Sequence, residues 1–144
     1  MTVASILKAK GNSVYTIDSG RMLADAARLL ADRKIGAIVV VDEDGGAIRG
    51  ILGEREIVAA IARHGGSVLM HPVRDHMVRN FGSCRRSDST EHLMAMMTGS
   101  RLRHVPVVED GRLLGIVSIG DIVKRRIEES EREASALREY ITMH

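Results

Sequence analysis

From Met22 onward the chain alternates between two hydrophobic periods. Leu23, Ala26, Ala27 and Leu30 fall at i, i+3, i+4 and i+7, the spacing of one helix face. A continuous β-branched run follows, Ile38 to Val41, of the kind found in strands buried on both faces. A turn rich in Asp and Gly (EDGG) leads to a second short strand, Ile48 to Leu52, and then to a helix from about Arg55 to Arg63. The same order then returns. Leu93, Met96 and Met97 repeat the helix face, with Asp88, Ser89 and Glu91 supplying capping chemistry at its start. Strands Val105 to Val108 and Leu113 to Val117 flank the turn EDG, and a last helix begins near Gly120.

Val40 and Val41 align with Val107 and Val108 at an offset of 67, and after a turn two residues shorter Gly50 and Ile51 align with Gly115 and Ile116 at an offset of 65. Short strands are expected ahead of each first helix, Val14 to Ile17 and near Ser83-Cys84. One β-α-β-β-α unit of this size cannot cover both faces of its sheet, so the pattern predicts an α/β fold of two units packed about a pseudo-twofold axis. Residues 1–66 would hold the first repeat with its N-terminal segment, 67–126 the second, and 127–144 a helical tail. The stretch GGSVLMHP, Gly65 to Pro72, punctuates the link. In the tail Val123, Ile127, Ser130, Ala134, Leu137 and Ile141 are spaced 4, 3, 4, 3, 4, a heptad-like seam, with Arg125/Glu129 and Glu128/Arg132 placed for i, i+4 pairing. Such a helix either covers the protein's own sheet or meets a second subunit, and the sequence leaves both open.

Composition narrows the classes. The 144 residues are 44% hydrophobic and 28% charged, an ordinary globular balance that supports one good core. With no Trp, one Phe and two Tyr, that core is aliphatic, and base-stacking platforms for single-stranded nucleic acid are disfavoured. The lone Cys84 excludes an intramolecular disulfide framework and reads as a small core residue. A mean hydropathy of -0.03 and the absence of a long apolar run argue against a membrane span. The opening residues MTVASILKAKG lack a secretory pattern, and the expectation is a soluble, cytoplasmic protein. Net charge is only +2, so a polyanionic partner is not implied by charge alone. The basic clusters are local: Arg85-Arg86, Arg101 with Arg103 and His104, and Lys124-Arg125-Arg126.

The doubled unit, carried by IGAIVVVDEDGGAIRGILGERE and RHVPVVEDGRLLGIVSIGD, resembles a tandem pair of CBS domains (a Bateman module) over roughly Thr2 to Arg126. Together with ILKAKG and MTGSRLRHVPV, these segments are similar to small stand-alone bacterial CBS-pair proteins. The resemblance implies a non-catalytic regulatory module that binds adenine nucleotides between its repeats and forms a homodimer. The candidate ligands are AMP, ADP, ATP and NAD(H), with S-adenosylmethionine the lesser candidate. With the repeats filling nearly the whole chain, regulation would act in trans on a protein effector that the sequence does not identify.

The family's site pattern falls on Gly115, Ile116, Ser118 and Asp121. A carboxylate at Asp121 can accept hydrogen bonds from both hydroxyls of a ribose, Ser118 offers a hydroxyl, and Gly120 allows close backbone approach. The structural alternative is that Asp121 only favours a helix N-terminus and Ser118 only ends a strand. Arg103 and His104 stand where the resemblance places phosphate contacts. The adjoining Val105 and Pro106 mark a strand whose missing donor suggests ligand access to backbone. The other repeat would complete this cleft with Ile35, Gly36 and Ala37 against the base and Lys10 toward the phosphates. The alternatives are a solvated strand edge for Arg103 and His104, and a solvated N-terminal lysine for Lys10. The first repeat departs from the pattern: Gly53 replaces the hydroxyl residue, Glu56 replaces Asp, and Arg55 could compensate in part. One strong site per chain and a weaker second site are therefore expected.

Other chemistry finds little support. His71 and His76 are five apart with Pro72 between them, which argues against a metal site. No phosphate-binding glycine loop follows a strand. Ser118 with His104 could face one cleft as a nucleophile pair, but nothing orients the histidine. Met94, Met96, Met97 and Thr98 read as a helix face. Two competing functions remain: a dimeric interaction scaffold with a vestigial cleft, and a nucleic-acid binder drawn to Lys124-Arg125-Arg126. The second is weakened by Glu128, Glu129, Glu131 and Glu133 directly after that run.

Overall fold

The computed structural model describes residues 1–11, 14–43, 46–100 and 102–143. Asn12, Ser13, Asp44, Gly45, Arg101 and His144 lie outside the described residues. The order of elements is α1 (Val3–Lys10), β1 (Thr16–Asp18), α2 (Leu23–Arg33), β2 (Ala37–Val41), β3 (Ile48–Gly53) and α3 (Glu54–His64). Two 3₁₀ turns follow, Gly66–Met70 and Val73–Asp75, and then α4 (Thr90–Ser100), β4 (His104–Glu109), β5 (Arg112–Ser118) and α5 (Ile119–Met143). The expected two-unit α/β architecture is present.

Each repeat contributes an antiparallel hairpin, β2 with β3 and β4 with β5, and each hairpin shifts register at the equivalent place, Val40/Val41 and Val107/Val108. In the second, Asp110 and Gly111 both take positive φ, the geometry of a two-residue type I′ turn and the reason DG stands there. β1 pairs in parallel with β2, centred on Thr16 to Asp18, later in the chain than the expected Val14 to Ile17. Its counterpart near Cys84 is reduced to one bridge, to Val107.

All five residues of β2 are buried, which explains its uninterrupted apolar run. Ile38 and Val40 face one cluster with Leu23, Ala26 and Leu30 of α2 and Ile57 and Ala60 of α3. Ala37, Val39 and Val41 face the other way and meet Ile51 and, from the second repeat, Ile116. This central cluster joins the two sheets face to face, the packing that a lone unit could not supply.

The N-terminal segment packs differently from its place in the sequence. Val3, Ile6 and Leu7 of α1, spaced i, i+3, i+4, belong to the core of the second repeat with Leu93, Val105, Val107, Val117 and Ile122. Reciprocally, the link between repeats is not a loose tether: Val68, Val73 and Met77 are buried in the core of the first repeat. Equivalent bridges pin both segments, Thr2 to Ser89 and Met22 to Pro72. Leu7 lies over Gly115 as Met77 lies over Gly50, so each repeat is capped by the stretch of chain that precedes the other.

In α5 only Ile122 is fully buried; Val123, Ile127, Leu137, Tyr140 and Ile141 are exposed. The seam therefore does not cover the protein's own sheet. Arg125 reaches Glu128 at 3.7 Å, one residue nearer than the Glu129 expected from i, i+4 spacing. No helix among the described residues is long and apolar enough to cross a membrane.

Candidate nucleotide cleft

The junction of the strands with α5 places the chemistry. Ser118 ends β5 and precedes the first turn of α5, where backbone N–H groups lack helical acceptors. The Asp121 N–H donates to Ser118 Oγ at 3.1 Å, and the Ser118 N–H donates to Asp121 Oδ2 at 2.9 Å. Serine at the cap and an acid three residues on thus satisfy each other's backbone. The structural role weighed for this pair is real, and it holds the carboxylate in a fixed place. Lys10, at the last turn of α1, donates to the same Oδ2 at 2.6 Å and to the Ile116 carbonyl at 2.7 Å. Burial pushes the Asp121 carboxyl up, but the hydrogen bonds from Lys10 and Ser118 outweigh it and hold the carboxyl below its ordinary value.

These groups line a cleft of about 310 Å³ between the repeats. Ile116, Ser118 and Asp121 come from the second repeat, and Ile35, Gly36 and Ala37 from the first, with Lys10 and His104 completing the predicted set. Gly36 sits close under its neighbour: a Cβ there would lie 3.3 Å from His104 Nε2, so that the imidazole would have to give slightly. His104 is pushed below its ordinary imidazole value, first by burial and then by the Lys10 charge. At neutral pH it therefore stands in the cleft as a neutral donor or acceptor.

Sequence reasoning did not single out Val14, Tyr15 and Lys34, which also line this cleft. Tyr15 is one of three aromatic residues in the chain, a scarcity that is itself a signal. Lys34 caps α2 in the left-handed conformation, φ 54°, a place usually held by Gly or Asn.

A smaller cleft of about 150 Å³ collects Gly53, Arg55, Glu56 and the missed Glu54 from the first repeat and Leu102 and Arg103 from the second. Gly36 and His104 border both clefts. Arg103 is thus placed with Glu56, not beside Asp121. The repeat offset foretells this, because Arg103 is the counterpart of Gly36 and so belongs to the opposite cleft. The second cleft holds two arginines, Arg55, named from the sequence as a partial compensation, and Arg103. The Gly53 N–H donates to Glu56 Oε2 at 3.2 Å, repeating half of the cap, but glycine returns no hydroxyl. Val105 and Pro106 are buried in β4 and line neither cleft, and Gly120 has only Ser118 Oγ near its missing Cβ. His64, His71 and His76 gather with ring centroids 5.6–6.3 Å apart, yet no metal-holding group of three His, Cys, Asp or Glu is formed among the described residues.

The CBS domain family matches at residues 7–63 and 73–128. The CBS-domain containing protein ATU1752 from Agrobacterium tumefaciens is 44% identical, with a TM-score of 0.84 over 88% of this chain and 99% of that one. The mitochondrial CBS domain-containing protein CBSX3 of Arabidopsis thaliana is 33% identical over 97% of this chain and 71% of its own length. The CBS domain pair of protein MJ0100, solved with 5′-methylthioadenosine and S-adenosyl-L-methionine, is 27% identical with a TM-score of 0.75, covering 86% of this chain and 98% of that one. A CBS domain protein of Pyrobaculum aerophilum, PAE2072, solved with AMP, shares the fold at 22% identity and a TM-score of 0.74, covering 84% and 89%.

Proposed function

The chain belongs to the CBS domain family, and on that premise we propose that it is a non-catalytic regulatory module that senses an adenine nucleotide in the cleft between its repeats. One observation carries the reading: Asp121 and Ser118, fixed at the head of α5, share a cleft with the small apolar run Ile35-Gly36-Ala37 of the other repeat. A flat base fits against small side chains, and a carboxylate serves a ribose diol. The adenosyl ligands of MJ0100 and PAE2072 support the same chemistry here. Because the cleft is built from both repeats, a bound nucleotide favours one relative arrangement of them and changes the surface offered to a protein effector in trans. The exposed apolar seam of α5, with Val58 and Ile61 exposed on the equivalent α3, supports a homodimer as the assembly that carries this surface. The cleft at Asp121 is the strong site, and the smaller cleft at Glu56 the weaker.

A thermal-shift panel of AMP, ADP, ATP, NAD, NADH and S-adenosylmethionine tests this. A ligand at a hundred times its dissociation constant stabilises the fold by about 2.7 kcal/mol. In Asp121→Ala, losing two charge-assisted hydrogen bonds is expected to weaken binding roughly a hundredfold or more, with the fold retained. Calorimetry on the native chain should find one tight site. The scaffold reading draws on Lys10 occupying Asp121; it predicts no shift with any member of the panel and two equally indifferent proteins.

A further inference from the structure

The Lys10–Asp121 pair sets a condition on what can bind. Asp121 Oδ2 already accepts two hydrogen bonds, from Lys10 and from the Ser118 N–H. A ribose that uses both carboxylate oxygens must therefore displace the Lys10 ammonium. Once displaced, that ammonium has few anions to turn to. In the cleft it keeps company with Lys34 and His104, and Asp121 is the one acidic residue among the described residues lining it. On its other side, a cavity of about 380 Å³ between α1 and α5 is lined by Lys124, Arg125 and Glu128, and Glu128 is paired with Arg125. Lys10 and Asp121 line both spaces, so their ion pair is the partition between them.

We infer that Lys10 makes the cleft select phosphorylated adenosyl ligands over phosphate-free ones, by exchanging Asp121 for the ligand's own phosphate. This rests on the nucleotide reading above. A phosphate restores to Lys10 the charge that the ribose took away, and a nucleoside or thioether leaves the ammonium on the neutral Ile116 carbonyl, beside the like charge of Lys34 and with no carboxylate in exchange. The device acts by penalising the wrong ligand as much as by attracting the right one. A lysine that only touched phosphate would leave the affinity for adenosine untouched.

The test compares AMP, adenosine and 5′-methylthioadenosine by calorimetry on the native chain, Lys10→Met, Lys10→Arg and Asp121→Ala. Both groups of the pair are partly solvent-exposed, 31% and 24%, so the expected effects are moderate. The native protein should prefer AMP to either phosphate-free compound by about tenfold or more. Lys10→Met should weaken AMP about tenfold and tighten adenosine and 5′-methylthioadenosine several-fold, bringing the preference toward parity. Lys10→Arg should keep the native order, which separates charge from folding. If Lys10→Met leaves the AMP-to-adenosine ratio unchanged while Asp121→Ala abolishes both, the inference is overturned and the nucleotide site stands. If the native chain binds none of the three, the inference falls, and the nucleotide reading falls with it when the thermal-shift panel is silent as well.

Discussion

Asp121 is a single side chain with three obligations: it closes the N-terminal cap of α5, balances Lys10, and faces the cleft. The first was legible in the spacing of Ser118 and Asp121; the second was not, because 111 residues separate the partners and no local rule links them. Lys34 shows the converse, a residue whose local cost is visible and whose use is not. A non-glycine residue in the left-handed region costs roughly 1 kcal/mol, and strain of this kind is retained where a side chain has work to do. Lys34→Gly is therefore expected to raise stability by up to about 1 kcal/mol in urea melts while weakening AMP binding, since the cleft loses a cation. A variant that gains stability and keeps full affinity would leave Lys34 with no part in binding.

At the level of elements, the hairpins and the helices α2 and α3 were readable because each lies on a strict period and ends in turn chemistry. β2 reads as doubly buried and is. The segment near Cys84 was expected as a strand and makes one bridge, since only Pro106, Val107 and Val108 offer it backbone partners. The packing of α1 was not legible. Its apolar residues are correctly spaced, but the core it joins is drawn from Cys84 onward, and proximity in sequence suggested the first repeat. The glycines beneath the two capping segments make a measurable contrast. A Cβ on Gly50 would lie 2.7 Å from the Val78 carbonyl and 2.8 Å from Met77 Sδ, whereas on Gly115 the nearest atom is a side-chain methyl, Leu7 Cδ2, at 2.7 Å. Gly50→Ala must push backbone and is expected to cost about 1–3 kcal/mol, and Gly115→Ala distinctly less, by denaturant unfolding. Equal costs would show that Met77 and Val78 yield as easily as a leucine methyl.

The whole molecule has a pH response set by two partly buried imidazoles. His104 is depressed by burial and Lys10; His76 is depressed by burial and by His71 and His64, with Asp75 opposing. Groups depressed in the fold take up protons first in the unfolded chain, so their contribution is complete above the ordinary value of 6.5 and is lost as pH falls through the depressed one. Asp121, also depressed, loses its contribution only far lower, below the ordinary 3.8. Stability should accordingly decline as pH falls below about 6.5, and His76→Gln with His104→Gln should flatten that slope in melts across the acidic range. The reciprocal capping of the two repeats has a topological consequence of its own. A polypeptide severed between residues 66 and 67 would leave each fragment carrying the lid that its sibling needs. Neither half is self-sufficient, and the pair would reassemble by complementation, so the two lobes are obliged to exist together.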